Sequence, residues 1–135
     1  MSKRRLIDTN LILRHLVQDN EKQASVAGKL FDACDRGQVT IVVLPCVLAE
    51  CVFVLESFYE HERTDIASAL SRLISSPGVE IADAANHLDA LDRYGRTKVH
   101  FVDCLIAATA TAKEIPVASF DQDFRKFHDV HVEIE

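Results

Sequence analysis

Short apolar runs rich in β-branched residues alternate with longer segments of helical periodicity, and this alternation constrains the fold more than any other feature of the chain. RRLIDT reads as a buried strand, and QVTIVVL, VEIA, PVASF and VHVEI as further strands between polar or turn-forming residues. NLILRHLVQ forms a short helix. Asn20 caps a longer one over EKQASVAGKLFDACDR, where Ala24, Ala27, Leu30, Phe31 and Cys34 fall at helical spacing before Gly37 stops it. Pro45 suits the first turn of a helix that runs to about Tyr59. HERTDIASALSRLISS is amphipathic and closed by Pro77-Gly78, and Asp83 is placed to cap AANHLDALDRY. A polar loop, GRTKVH, leads into the helix VDCLIAATATAKE, which ends before Pro116. Strands separated by helices imply an α/β fold, a three-layer sandwich with a mostly parallel central sheet of about five strands.

Residues 1–135 contain no repeat, no low-complexity segment and no linker, so a single domain is expected. No apolar run reaches the ~18–20 residues of a membrane span. The basic start (Lys3, Arg4, Arg5) is followed by an apolar stretch that Asp8 and Asn10 interrupt, without a small-residue cleavage site, so no signal peptide is expected. Cys34, Cys46, Cys51 and Cys104 have no C-x-x-C spacing and read as small core residues of a cytoplasmic protein.

Four carboxylates interrupt this pattern. Asp8 sits inside LIDTNLIL, Glu50 inside PCVLAECVFVL, Asp103 inside FVDCLIAATA, and Asp121 ends IPVASF. An unpaired buried carboxylate costs several kcal/mol or more, so such residues are hydrogen-bonded, paired or held on a metal. In open α/β sheets the site lies beyond the carboxyl ends of the strands. Asp8 and Asp121 each end an expected strand, Asp103 falls in the first turn of a helix, and Glu50 shares a helix face with Cys46, Val47, Phe53 and Val54. All four are therefore expected at one cleft. Two carboxylates about 4 Å apart repel by about 4 kcal/mol at an effective dielectric near 20, so four together call for a cation. Oxygen-only ligands favour Mg2+ or Mn2+ over zinc, and such a site suits in-line attack of water on a phosphodiester. The net charge of −6 is then compatible with a nucleic-acid substrate, provided cations rim the cleft. Arg14, Arg93, Arg96 and Lys98 are the candidates for that rim, the last three in the loop before Asp103, where RYGRTK reads equally as a plain solvated loop.

LIDTN, the Glu of LAECVFVL, FVDCLIAATA and ASFDQDF, in this order from Leu6 to Phe124, resemble the four acidic motifs of the PIN-domain ribonucleases. Order, spacing and length are most similar to the toxin subunit of the VapBC toxin–antitoxin systems. The resemblance implies a PIN-like fold and a metal-dependent endoribonuclease using Mg2+ or Mn2+ and acting on RNA. It implies Asp8, Glu50, Asp103 and Asp121 as the metal-binding and catalytic acids, with Asn10 hydrogen-bonding at the site. Asp123 either adds to the acidic cluster or caps the turn DFRKF, and the cap is the reading preferred. The expected partners are a VapB-like antitoxin and a second copy of the chain, in a homodimer or a larger hetero-oligomer. The stretch 45–75, with Val52, Phe53, Leu55, Phe58 and Tyr59, is either the surface for them or plain core. An RNA-processing PIN nuclease without an antitoxin would share every site residue.

Other classes fit less well. Haloacid-dehalogenase-like phosphatases need D-x-D where this chain has Asp8-Thr9-Asn10. Receiver domains need an adjacent acidic pair after the first strand and an Asp ending a middle strand, and TIVVLP has none. His128 and His131 in HDVH suggest a metal pair, but on an expected terminal strand they fall on opposite faces, so surface histidines are the reading preferred. A non-catalytic module with a structural metal remains as the alternative to an enzyme.

Overall fold

The computed structural model describes residues 3–133. Three strands, β1 (Lys3–Leu6), β2 (Val39–Val43) and β3 (Val79–Ile81), form a parallel sheet in that order, with Arg5 opposite Ile41 and Ile41 opposite Val79. Helices α1 (Thr9–Val17) and α2 (Glu21–Asp35) connect β1 to β2, and α3 (Pro45–Ser57) and α4 (Arg63–Ser75) connect β2 to β3. Helices α5 (Ala84–Arg96) and α6 (Phe101–Lys113) lead to β4 (Val117–Ala118), a 3-10 helix over Gln122–Lys126 and β5 (Val132–Glu133).

The expected α/β class holds, but the strands divide differently. β4 and β5 pair with each other, parallel, as a separate two-stranded sheet. β1 is therefore an edge, and its four residues are exposed, contrary to the buried strand read from RRLIDT. Burial begins one residue later, at Ile7. β5 covers only part of VHVEI, whose Ile134 lies outside the described residues, and His128 and His131 precede it instead of lying on it.

Local chemistry explains most helix ends. The Asn20 side chain accepts from Gln23 N, Pro45 opens α3, and Gly78 takes a left-handed φ of +84° at the end of α4's connection to β3. Asp83 precedes α5, but its side chain makes no cap hydrogen bond. α5 continues past Tyr94 through Gly95-Arg96, where a loop was expected, and the glycine permits close packing there. A Cβ on Gly95 would stand 3.0 Å from the Ala67 Cβ of α4.

One apolar core joins the six helices, strands β2 to β5 and Ile7 just beyond β1, with Ile12, Ile41, Leu48, Leu70 and Leu91 fully buried. Burying each such side chain contributes about 1.5–3 kcal/mol. Val52 and Leu55 belong to this core, whereas Phe53 and Phe58 are exposed, so the stretch 45–75 is part core and part surface. Cys34, Cys51 and Cys104 are buried and Cys46 is exposed, so three of the four cysteines fit the core expectation. No helix among the described residues is long and apolar enough to cross a membrane.

Candidate functional site

Because β1 and β2 are parallel, their carboxyl ends lie side by side and the helices that follow start there together. Asp8 is the N-cap of α1, its Oδ1 accepting from Leu11 N at 3.0 Å. That answers why a carboxylate sits within apolar sequence: the side chain is exposed, and it satisfies a backbone donor that the helix leaves free. The next residue, Thr9, is buried and donates its hydroxyl to Glu50 Oε1 of α3. Asp8, Asn10 and Glu50 then line one concavity of about 350 Å³ with Thr9, Leu13, Val47 and Val54. Beneath it, burial and then the charges of Glu50 and Asp8 push the Cys51 thiol up to about 12.

A second acidic group forms at the other end of the chain. Asp103 lies in the first turn of α6, and Asp121 is the N-cap of the 3-10 helix, its Oδ1 accepting from Asp123 N at 2.9 Å. Asp121 is thus the cap in this turn, not Asp123, which pairs instead with Lys126 at 3.0 Å. The Asp103 carboxyl is raised above its usual value by burial first and then by Asp121 and Asp123, partly offset by His100. Like charges this close favour the protonated form.

The four expected acids therefore fall into two groups, and among the described residues no three His, Cys, Asp or Glu stand close enough to hold a metal ion. α3 and α6, which carry one acid from each group, pack directly on one another. The donor type fits a hard divalent ion. Asp8, Glu50 and Asp121 each commit one carboxylate oxygen to a bond within the chain, which fixes the group's direction. Their second oxygens have no partner among the described residues. Asn10 lies exposed beside Asp8 in the concavity.

The cations correct the sequence reading most. Arg93 lies on α5 and is buried. Its guanidinium grips Asp129 at 2.5 and 2.9 Å and Asp89 at 3.1 and 3.3 Å, and it sits over the Phe127 ring. Asp129 is correspondingly held below its usual carboxylate value, chiefly by the Arg93 hydrogen bonds. Arg93 is thus a clamp on the C-terminal segment and not a rim residue. Arg96 ends the same helix and pairs with Asp92, Arg14 pairs with Asp19 through Nη1 alone, and Lys98 lies in the loop before α6. Arg63, which the sequence did not single out, stacks 3.7 Å over the Tyr94 ring and bonds the carbonyls of Tyr94 and Val99, tying α4 to the approach to Asp103. Thr9 was within view in Asp8-Thr9-Asn10, but its partner Glu50 is distant in the chain.

The PIN domain family model matches residues 5–130. Among characterised proteins, the chain is 26% identical over 123 residues to the VapC ribonuclease of Aquifex aeolicus strain VF5, covering 90% of each chain. Among solved structures it aligns with a chain of the VapBC2 complex of Rickettsia felis bound to a promoter DNA fragment. That alignment has 17% identity over 97% of this chain and 98% of the other, with a TM-score of 0.39.

Proposed function

Since the chain belongs to the PIN-domain family, we propose that it is a metal-dependent endoribonuclease, the toxin of a type II toxin–antitoxin pair. The observation that carries this reading is the state of the acids. Asp8, Glu50 and Asp121 each have one oxygen anchored and one open, an arrangement suited to receiving a cation. Asp8, Glu50, Asp103 and Asp121 would hold Mg2+ or Mn2+, with Asp123 beside them. When bound, the ion lowers the pKa of water and offsets charge at the phosphate under attack. The residues themselves set direction: Leu11 N orients Asp8, the Thr9 hydroxyl orients Glu50, and Asp123 N orients Asp121. The likeness to a VapC ribonuclease supports a nuclease of RNA, and the reading includes a VapB-like antitoxin and a second copy of the chain as partners in the cytoplasm.

The test is cleavage of an end-labelled single-stranded RNA by the purified chain with Mg2+ or Mn2+, against EDTA. Asp8→Asn and Asp103→Asn should each cut more than about 100-fold slower, since even residues behind the ligands cost 10–100-fold in such sites. Both variants should keep the wild-type circular dichroism. Cleavage that persists in EDTA, or is untouched in both variants, would refute the proposal. Growth arrest on expression, absent for Asp103→Asn, would support the toxin role, and unimpaired growth would remove it.

A further inference from the structure

Helices α1 and α2, which pack on one another, border an open groove of about 450 Å³ that includes Asp8. Asn10, Leu11 and Arg14 line it from α1, and Lys22, Gln23, Val26 and Ala27 from α2. A void of this size takes one nucleotide-sized group, pockets for small ligands being about 300–1,000 Å³.

Its chemistry is that of hydrogen-bond donors around an apolar wall. Arg14 is fixed by three contacts, donating from Nε to Gln23 Oε1 at 2.8 Å and from Nη1 to Asp19 at 3.1 Å and to the Tyr59 hydroxyl at 3.2 Å. Nη2 is left without a partner among the described residues. Because Gln23 Oε1 accepts from Arg14, its amide nitrogen is left to donate. The ammonium of Lys22 has no acidic partner among the described residues, unlike Arg14, Arg93 and Arg96. Val26 is 63% exposed, an apolar surface in the middle of a helix whose other face is packed. Asp8 is the groove's one acid.

We propose that this groove holds the nucleotide that flanks the bond to be cut in a single-stranded RNA. Its phosphate meets Lys22 and Arg14 Nη2, a base or ribose oxygen accepts from Gln23, and the base lies against Val26 and Leu11. Charge complementarity selects an anionic strand as occupant, because the groove's uncommitted polar atoms other than Asp8 and Asn10 are donors only. The inference rests on the nuclease reading, since it uses Asp8 as the boundary with the cutting site.

RNA binding is measured by fluorescence anisotropy in EDTA, where no cutting competes, and steady-state cleavage in Mg2+ separately. Lys22→Gln should weaken binding about fivefold and lower the salt dependence of log Kd by about 0.7, as loss of one phosphate contact to a single strand does. KM should rise with kcat unchanged, and Lys22→Glu should exceed Lys22→Gln. Lys29→Gln, exposed on the same helix outside the groove, should leave both assays at wild-type values. Wild-type binding and KM in Lys22→Glu would overturn the inference, with the groove then left to a protein partner. If the wild type binds RNA in a Lys22-dependent way yet cuts nothing, the nuclease reading fails and the groove stands as an RNA-binding site alone.

Discussion

The two acidic groups are held by different means. Asp8 and Glu50 follow strands paired by backbone ladders, Asp8 as the N-cap of α1 and Glu50 in the middle of α3. Asp121 follows a strand of two residues and sits on a short 3-10 helix. There, side chains carry the load: Phe124 and Phe127 are buried and Arg93 grips Asp129. A backbone ladder survives most substitutions, whereas a clamp of one guanidinium does not. The C-terminal half of the site should therefore be the fragile half, and its position against Asp103 should depend on a residue that touches neither.

Arg93→Ala is the sharpest way to break that contrast. Removing one member of a buried ion pair costs about 3–5 kcal/mol. Asp89 and Asp129 are 40% and 49% exposed, so water recovers part of the loss and about 2 kcal/mol is expected. Denaturant unfolding gives the total. Amide exchange gives the location, which should be residues 121–130 and α5, with β1 and β2 protected as before. Uniformly faster exchange would show that the two halves are not separately held.

The same clamp has a pH signature of smaller size. Asp129 is held below its ordinary value of 3.8, so the stability it contributes is complete above that value. It is lost as pH falls through the lowered native pKa. The stability gap between wild type and Asp129→Asn should be constant near neutrality and narrow in acid below 3.8. A gap that widens with acid would give the pair the wrong sign.

The least effect should come from the ladder half. Thr9→Val removes one buried hydroxyl bond to Glu50 while keeping the shape, and should cost about 1 kcal/mol. Its Tm should fall less than that of Arg93→Ala, with exchange at β1 and β2 unchanged. A larger loss than Arg93→Ala would invert the comparison.

The same contrast explains what the sequence disclosed. Helices and strands followed hydrophobic period and caps, as at Asn20 and Pro45, because those signals act within a few residues. The four acids stood out because each broke an apolar run, a pattern visible without tertiary knowledge. What could not be read depends on distant partners. Gly95 looked like a loop residue because Ala67, which packs against it, is on another helix. Arg93 looked like a free cation because Asp129 lies far along the chain. Asp121 and Asp123 compete for one cap, and only backbone geometry decides between them. The separation of β4 and β5 from the main sheet likewise leaves no trace in composition or period.

The central proposal is that two separately held acidic groups serve one metal site. A crystal soaked in Mn2+ and measured at the manganese absorption edge tests it directly. The account predicts an anomalous peak bounded on one side by Asp8 and Glu50 and on the other by Asp103 and Asp121. A saturated crystal with no peak there, or with manganese bound to one group while the other stays apart, would contradict it.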